Sequence, residues 1–516
     1  MTKEPKDNLF VLVKSLSKSE KRQFKLYVGR LGVNEDSKFL LLFNVLDKMA
    51  EYDEQVILKK GIVKKQQLSN LKAHLYKQVL ISLRLNPLHQ NIRVQIREQL
   101  DFATILYHKG LYKQSLKILD KAKNLAINYE EKNVAYEILE LEKIIESQYI
   151  TRSISNRADE LAIQAKELNA HNILASKLSN LSLQLYSLFL KTGYVKNDDE
   201  YVKVTEYFNA RLPKYNFRDL GFREKLWLYQ SYLWYSFLIQ DFLACYRYSR
   251  KWVDLFYVNP ELMKLNPVFF LRGNQYLLEA LFFVRQHNKF KEALKELETI
   301  TQEKWFPKND NVQSLTFLYV YSNKFNLHFM EGSFYEGLPL VNEVLVGIKK
   351  HKSRIDEHHI MVFYYKIASL YFGIGENKKC IEFLDKIISN KSLSMREDLL
   401  CFSRVLNLVA HYEAGIDYNL DALIRSTYKF LIRMEDLYEV QKEMIKFLRA
   451  LGDIYPHEIR TEFIKLHEKL KTYEDHPYER RAFLYLDIIS WLESKIENKT
   501  VDSIIREKFN AKNQLN

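Results

Sequence analysis

The sequence predicts an all-α chain, an α-solenoid of antiparallel helix hairpins with a helical module at its N-terminus. Two observations carry that expectation. Turn-forming residues recur along the chain at Gly110, Gly193, Gln240, Asn288, Gly332, Gly375 and Gly415, at intervals of 83, 47, 48, 44, 43 and 40 residues. A ladder of that period is how stacked supersecondary units appear in sequence. Glycine and proline number only 14 and 9 in 516 residues, which leaves too little turn chemistry for a β-rich fold. The first interval is about twice the others, so one hairpin lies unmarked between Gly110 and Gly193.

Residues 1–88 form a basic helical module that ends at Asn86-Pro87, where the proline disfavours helix at the residue before it. Ser17 and Glu20 have capping-box spacing, and the helix they start runs over Lys18–Val28 until Gly29 and Gly32 break it. A second helix is predicted over Ser37–Ala50. A third, Lys64–Leu85, carries Leu68, Leu71, Leu75, Val79 and Leu83 at helical spacing.

Residues 89–450 carry the hairpins, and their positions follow a common grammar. After Gly110, Tyr112 stands two residues on, Ser115 five, Leu119 nine and Ala122 twelve. The same offsets give Phe242, Cys245, Ser249 and Trp252 from Gln240, and Phe290, Ala293, Leu297 and Ile300 from Asn288. They give Phe334, Gly337, Val341 and Val344 from Gly332, and Asn377, Cys380, Leu384 and Ile387 from Gly375. The fifth residue is small in all five, which lets the second helix approach the first, while an aromatic ring near the turn plugs the hairpin's open end.

This grammar resembles the tetratricopeptide repeat, with Ala103, Gly110, Tyr112, Ser115 and Ala122 matching best, then Tyr364, Ala368, Tyr371 and Gly375. The resemblance implies a right-handed superhelix whose surface holds partners. The spacing of 40–48 residues exceeds the 34 of that family, and the proline that closes its units is mostly missing. The segment SLSKSEKRQFKLY also resembles the start of a group of uncharacterised bacterial helical-repeat proteins, a likeness that implies no activity. Residues 451–516 are expected to cap the array, with one helix from Pro456 to Lys471 and another from Tyr478 to Lys495.

Charge is uneven: residues 1–90 hold 17 Lys/Arg against 9 Asp/Glu, so they carry eight of the thirteen net positive charges. From Gln55 to Arg97 there is no acidic residue and there are nine basic ones. Lys59, Lys60, Lys64, Lys65, Lys72, Lys77 and Arg84 are therefore the candidate contacts for an anion or a nucleic acid. Asn70, Lys77 and Arg84 recur every seven residues on one helical face. A solvated face is the plain alternative, and a helix-turn-helix with Lys64–Leu85 as recognition helix is a narrower version of the functional one.

Other features favour structural roles. Trp227, Tyr229, Tyr232, Trp234, Tyr235 and Phe237 point all round one helix, as in an interior helix. Cys245 and Cys380 fall at the small-residue position and are expected to be buried and inert. His358 and His359 lack metal-ligand spacing, Gly373-Ile374-Gly375 is a hairpin turn, and Asp198, Asp199 and Glu200 cap the next helix. Nothing calls for a catalytic residue, a metal or a cofactor.

Three cysteines without a CxxC pair fit a reducing cytoplasm. The five apolar residues Leu9–Val13 are too few for a signal peptide, and no stretch suits membrane insertion. The expected function is that of a non-enzymatic scaffold or adaptor binding a protein or peptide partner on a helical-repeat surface. The alternative is a nucleic-acid-associated regulator that contacts DNA or RNA through residues 1–97.

Overall fold

A computed structural model describes residues 7–30, 38–86, 91–148, 156–352, 354–390, 397–415, 420–433, 439–450, 455, 457–479, 483 and 487–514. Among these residues there are twenty-five α-helices and no strand. By contacts the chain forms two compact units, Met1–Leu168 and Asn169–Asn516.

The first unit opens with α1 (Asn8–Ser15), α2 (Lys18–Arg30), α3 (Lys38–Lys48), α4 (Glu54–Lys59) and α5 (Lys65–Arg84). The capping box forms as expected: Glu20 N–H donates to Ser17 Oγ at 3.3 Å, and Ser17 N–H donates to Glu20 Oε2 at 2.7 Å. Helix α5 is the centre of this module and packs on α1, α2 and α3. Its Leu68, Leu75 and Val79 join Phe24, Phe43 and Leu46 in a core of their own. Pro87 and Gly32 lie outside the described residues.

Three helices of 17 residues follow, α6 (Ile92–His108), α7 (Tyr112–Asn128) and α8 (Lys132–Gln148), each packed on the next. Gly110 has φ +70°, and Ser115 Oγ donates to the carbonyl of Ala103 at 2.8 Å with both residues fully buried. The small residue at the fifth offset is therefore a contact point between paired helices. Glu130, at φ +60°, makes a left-handed turn between α7 and α8. The turn expected midway through the long first interval, between α8 and the next helix, lies outside the described residues. Helix α9 (Arg157–Thr192) begins in the first unit and ends in the second.

The second unit continues with α10 (Asp198–Arg211), α11 (Phe222–Leu238), α12 (Phe242–Val258), α13 (Pro260–Leu265), α14 (Pro267–Phe283), α15 (His287–Gln302), α16 (Asp310–Glu331) and α17 (Leu338–His351). Then come α18 (Glu357–Gly373), α19 (Asn377–Ile388), α20 (Glu397–Glu413), α21 (Leu420–Arg433), α22 (Glu439–Ala450), α23 (Ile459–Lys471), α24 (Ile488–Glu497) and α25 (Val501–Gln514). Packing is mostly sequential, as in α11 on α12, α12 on α14, α14 on α16 and α18 on α19. That pattern is consistent with a helical repeat. Neighbouring turns are also bonded to each other, since Val195 N–H donates to the carbonyl of Leu238 at 2.9 Å and Gln240 Nε2 to that of Val195 at 3.3 Å.

Left-handed residues stand at Gly193, Gln240, Gly332, Gly375 and Gly415, as the turn ladder predicts, but Asn288 does not turn. The turn is at Arg285, φ +55°, and Asn288 lies inside α15. Counted from Arg285 the fifth residue is Phe290, which is fully buried, so the small-residue rule fails in this hairpin. Asn197, rather than an acid, is the N-cap of α10, with Asp198, Asp199 and Glu200 in its first turn. Of the helix expected over Tyr478–Lys495, Tyr478 stands in a turn, Phe483 is helical and Ile488–Glu497 forms α24, capped by Asp487; residues 480–482 and 484–486 lie outside the described residues, as does Pro456.

Candidate functional site

The second unit contains a cavity of roughly 700 Å³. Its wall comes from the first helix of successive hairpins: Tyr186 and Phe189 of α9, Trp234 and Phe237 of α11, Tyr276 and Glu279 of α14, Tyr319 and Asn326 of α16, Lys366 and Ser369 of α18, and Leu399 of α20. Tyr276, Glu279 and Phe283 of α14, Tyr319, Ser322, Asn326 and Phe329 of α16, and Val362, Lys366 and Ser369 of α18 stand three or four residues apart, the geometry of one helical face. Val501 and Ile505 of α25 complete the wall.

Aromatic rings run continuously along it. Tyr186 and Trp234 have centroids 4.7 Å apart, and Trp234 meets Tyr276 edge-on at 5.1 Å. Such contacts fix ring orientation as well as burying area. Arg272 interacts electrostatically with the Tyr276 phenol. Burial pushes the phenols of Tyr276 and Tyr319 above their ordinary value, so both are neutral hydroxyls at physiological pH.

Among the described residues two cationic side chains, Arg285 and Lys366, line this aromatic space, and Lys366 stands on a built support. Lys366 Nζ donates to Asn326 Oδ1. Asn326 Nδ2 donates to Asn323 Oδ1 at 3.2 Å, and Asn323 Nδ2 donates to Gln275 Oε1 at 2.7 Å and to the carbonyl of Tyr319. The relay crosses α18, α16 and α14. Burial pulls the Lys366 ammonium down to about 8, with Glu279 acting in the opposite direction. Lys366 is half-buried and is part of the cavity wall.

Helix α25 packs on α16 and α18. Arg506 donates to both carboxylate oxygens of Glu336 at 2.9 Å and through Nε to the carbonyl of Gly332 at 3.2 Å, while Phe509 meets His287 edge-on at 4.6 Å.

The basic residues singled out in the sequence lie in the first unit. Lys59, Lys60, Lys64, Lys65, Lys77 and Arg84 are exposed, as is Asn70. Arg84 lies 3.1 Å from Asp101. Lys72 is turned inward: it pairs with Asp7, donates to Tyr52 Oη at 2.9 Å and sits over the Tyr52 ring. Burial is the largest single effect and lowers the Lys72 ammonium, but the contacts with Asp7 and Tyr52 together outweigh it and leave it raised. Lys72 thus ties α5 to the module's own N-terminal residues.

The three cysteines are buried free thiols. His359 is bound to Asp356, the N-cap of α18, through both its backbone N–H and Nδ1. Gly375 is the left-handed turn residue expected of it, and Gly373 is a packing position. Among the described residues no three His, Cys, Asp or Glu side chains gather as a metal site requires, and no helix is long and apolar enough to cross a membrane.

Sequence reasoning missed the cavity because its aromatics read as core. Trp234 and Phe237 are indeed 4% and 2% exposed, yet each also forms part of the wall. One signal was available: Lys366 is the only charged residue between His359 and Glu376. Comparison with family models, curated proteins and solved structures returns no match.

Proposed function

We propose that the chain is a non-enzymatic, tetratricopeptide-like helical-repeat scaffold that holds a segment of a protein or peptide partner in this cavity, working in the cytoplasm. The observation that carries the reading is the common wall: the first helix of successive hairpins turns its aromatic residues onto one space. A cavity of roughly 700 Å³ is in the range for ligand sites and takes a few side chains of a bound segment. Affinity would come from burying apolar groups among rings that are already ordered.

The test is cross-linked affinity purification from the native host, followed by direct binding of the recovered partner to the purified chain. Ser322→Trp and Ser369→Trp each fill the cavity and should weaken that binding at least tenfold while leaving the circular dichroism spectrum intact. Unchanged binding in both variants rejects the reading.

A second reading rests on the exposed basic face. Lys64, Lys65, Lys77 and Arg84 could track phosphates, with affinity falling steeply with salt. Reversing these four charges should abolish retention of DNA or RNA and spare partner binding in the cavity. Retention that survives the reversal, or is absent from the parent chain, disposes of this alternative.

A further inference from the structure

We infer that the cavity recognises a carboxylate carried on an apolar or aromatic body, with Lys366 as its anion-binding pole. The inference rests on the cavity being a binding site, and it names the chemistry of what binds there.

A lysine ammonium embedded among protein atoms is costly unless something compensates its charge. Among the described residues the hydrogen-bond partner of Lys366 is neutral, the amide oxygen of Asn326. Glu279 acts on the ammonium only through space. Three other carboxylates line the wall: Asp356 accepts from the backbone N–H of His359, Asp487 accepts from the backbone N–H and hydroxyl of Ser490, and Glu357 stands in the first turn of α18 and is not the hydrogen-bond partner of Lys366. The ammonium is nevertheless held in place, because the relay through Asn326 and Asn323 to Gln275 orients each amide to pass its donors away from Lys366. A site that merely tolerated a lysine would not require three ordered amides on two neighbouring helices. An arriving carboxylate supplies a counter-charge in direct contact, and the rings of Trp234, Tyr276 and Phe329 supply the apolar surface beside it. The carboxylate could belong to a peptide terminus or to a small organic acid.

The experiment uses the purified full chain and measures binding of 1-pyrenebutyrate and of its neutral analogue 1-pyrenebutanol by fluorescence and calorimetry. The acid should bind about tenfold or more tightly than the alcohol, as one charge-assisted contact in a buried site provides. Lys366→Met should reduce that preference to within about twofold, and Lys366→Arg should keep it. Asn326→Asp changes volume little but brings a permanent carboxylate to the ammonium, so it should also erase the preference; thermal melts establish that each variant is folded.

Competition by N-acetyl-Leu-Phe-Phe with a free carboxylate, but not by its amide, assigns the site to peptide termini. Failure of both peptides, with pyrenebutyrate still preferred, assigns it to small acids. Equal binding of acid and alcohol to the parent chain overturns the anion pole and leaves the cavity reading standing, whereas binding of neither probe overturns both. A preference that survives in both Lys366→Met and Asn326→Asp also overturns the assignment to Lys366.

Discussion

The ring of Phe334 occupies the space where a side chain on Gly373 would begin: a Cβ there would lie 1.7 Å from Phe334 Cδ2. The aromatic residue two places after one turn is seated against the helix that leads to the next turn. Gly373→Ala must expel the ring, and a loss of about 1–3 kcal/mol is expected from such overpacking. Gly375→Ala is the control, since nothing lies within 4 Å of its Cβ and only the left-handed backbone at φ +80° is penalised, by roughly 1–2 kcal/mol. Phe334→Leu should rescue Gly373→Ala and leave Gly375→Ala unimproved, as read from urea unfolding midpoints.

Gly332 meets backbone, so its substitution has no side-chain escape. A Cβ would lie 2.4 Å from Arg506 N and 2.7 Å from the carbonyl oxygen of Asp502. Gly332→Ala should therefore lift α25 from α16 and raise amide exchange across 501–514, whereas Arg506→Ala, which removes an exposed ion pair, should cost about 1 kcal/mol or less. Equal exchange in parent and Gly332→Ala chains would contradict this packing.

In the first unit Lys123 Nζ lies 2.5 Å from Glu142 Oε2, and Arg157 bonds the other oxygen of the same carboxylate. Glu142 is fully buried and Lys123 only 5% exposed. Glu142→Leu leaves a buried ammonium without its counter-charge and should cost about 3–5 kcal/mol. Lys123→Met in the same chain should recover most of that loss, because a buried pair contributes little net stability while a buried single charge is strongly unfavourable. A double variant no more stable than Glu142→Leu would refute this account.

Two histidines make stability depend on pH. His351, stacked on Phe317 and 3.0 Å from Ser314 Oγ, is held below its ordinary value by burial and then by Lys350 and Arg354. Burial also holds His328 low, against the pull of Glu331. Each folded-state value lies below that of the unfolded chain, so the unfolded chain takes up protons first as pH falls. Stability is fully present above about 6.5 and is lost as pH drops from there through the folded-state values. The melting temperature should fall between pH 7.5 and 5.5, and His351→Gln should flatten that slope.

Burial pushes the thiols of Cys245 and Cys380 well above the usual cysteine range, and Cys401 is equally inaccessible. None should react with a disulfide reagent at pH 8 in the native chain, and all three should react in 6 M guanidinium chloride, a strongly denaturing condition. A fast-reacting thiol in the folded protein would argue against this packing.

What the sequence determined by itself is local. Capping at Ser17 and Glu20, the left-handed glycines at 110, 193, 332 and 375, and the buried Ser115, Cys245 and Cys380 all follow from short-range sterics and helical period, which a linear pattern carries in full. The pattern misled where those rules lose force. Arg285 and Glu130 turn left-handed without glycine because packed helices on either side hold them there, and Tyr478 stands in a turn before α24 although apolar spacing ran through it. The tertiary structure alone decided which side of the aromatic helices faces a cavity and what Lys366 meets inside it. Gln275, Asn323, Asn326 and Lys366 come from three helices spread over some ninety residues, and periodicity within a helix says nothing of the polar partner another helix will bring. Ring and amide positions of that kind exist only once the helices are stacked.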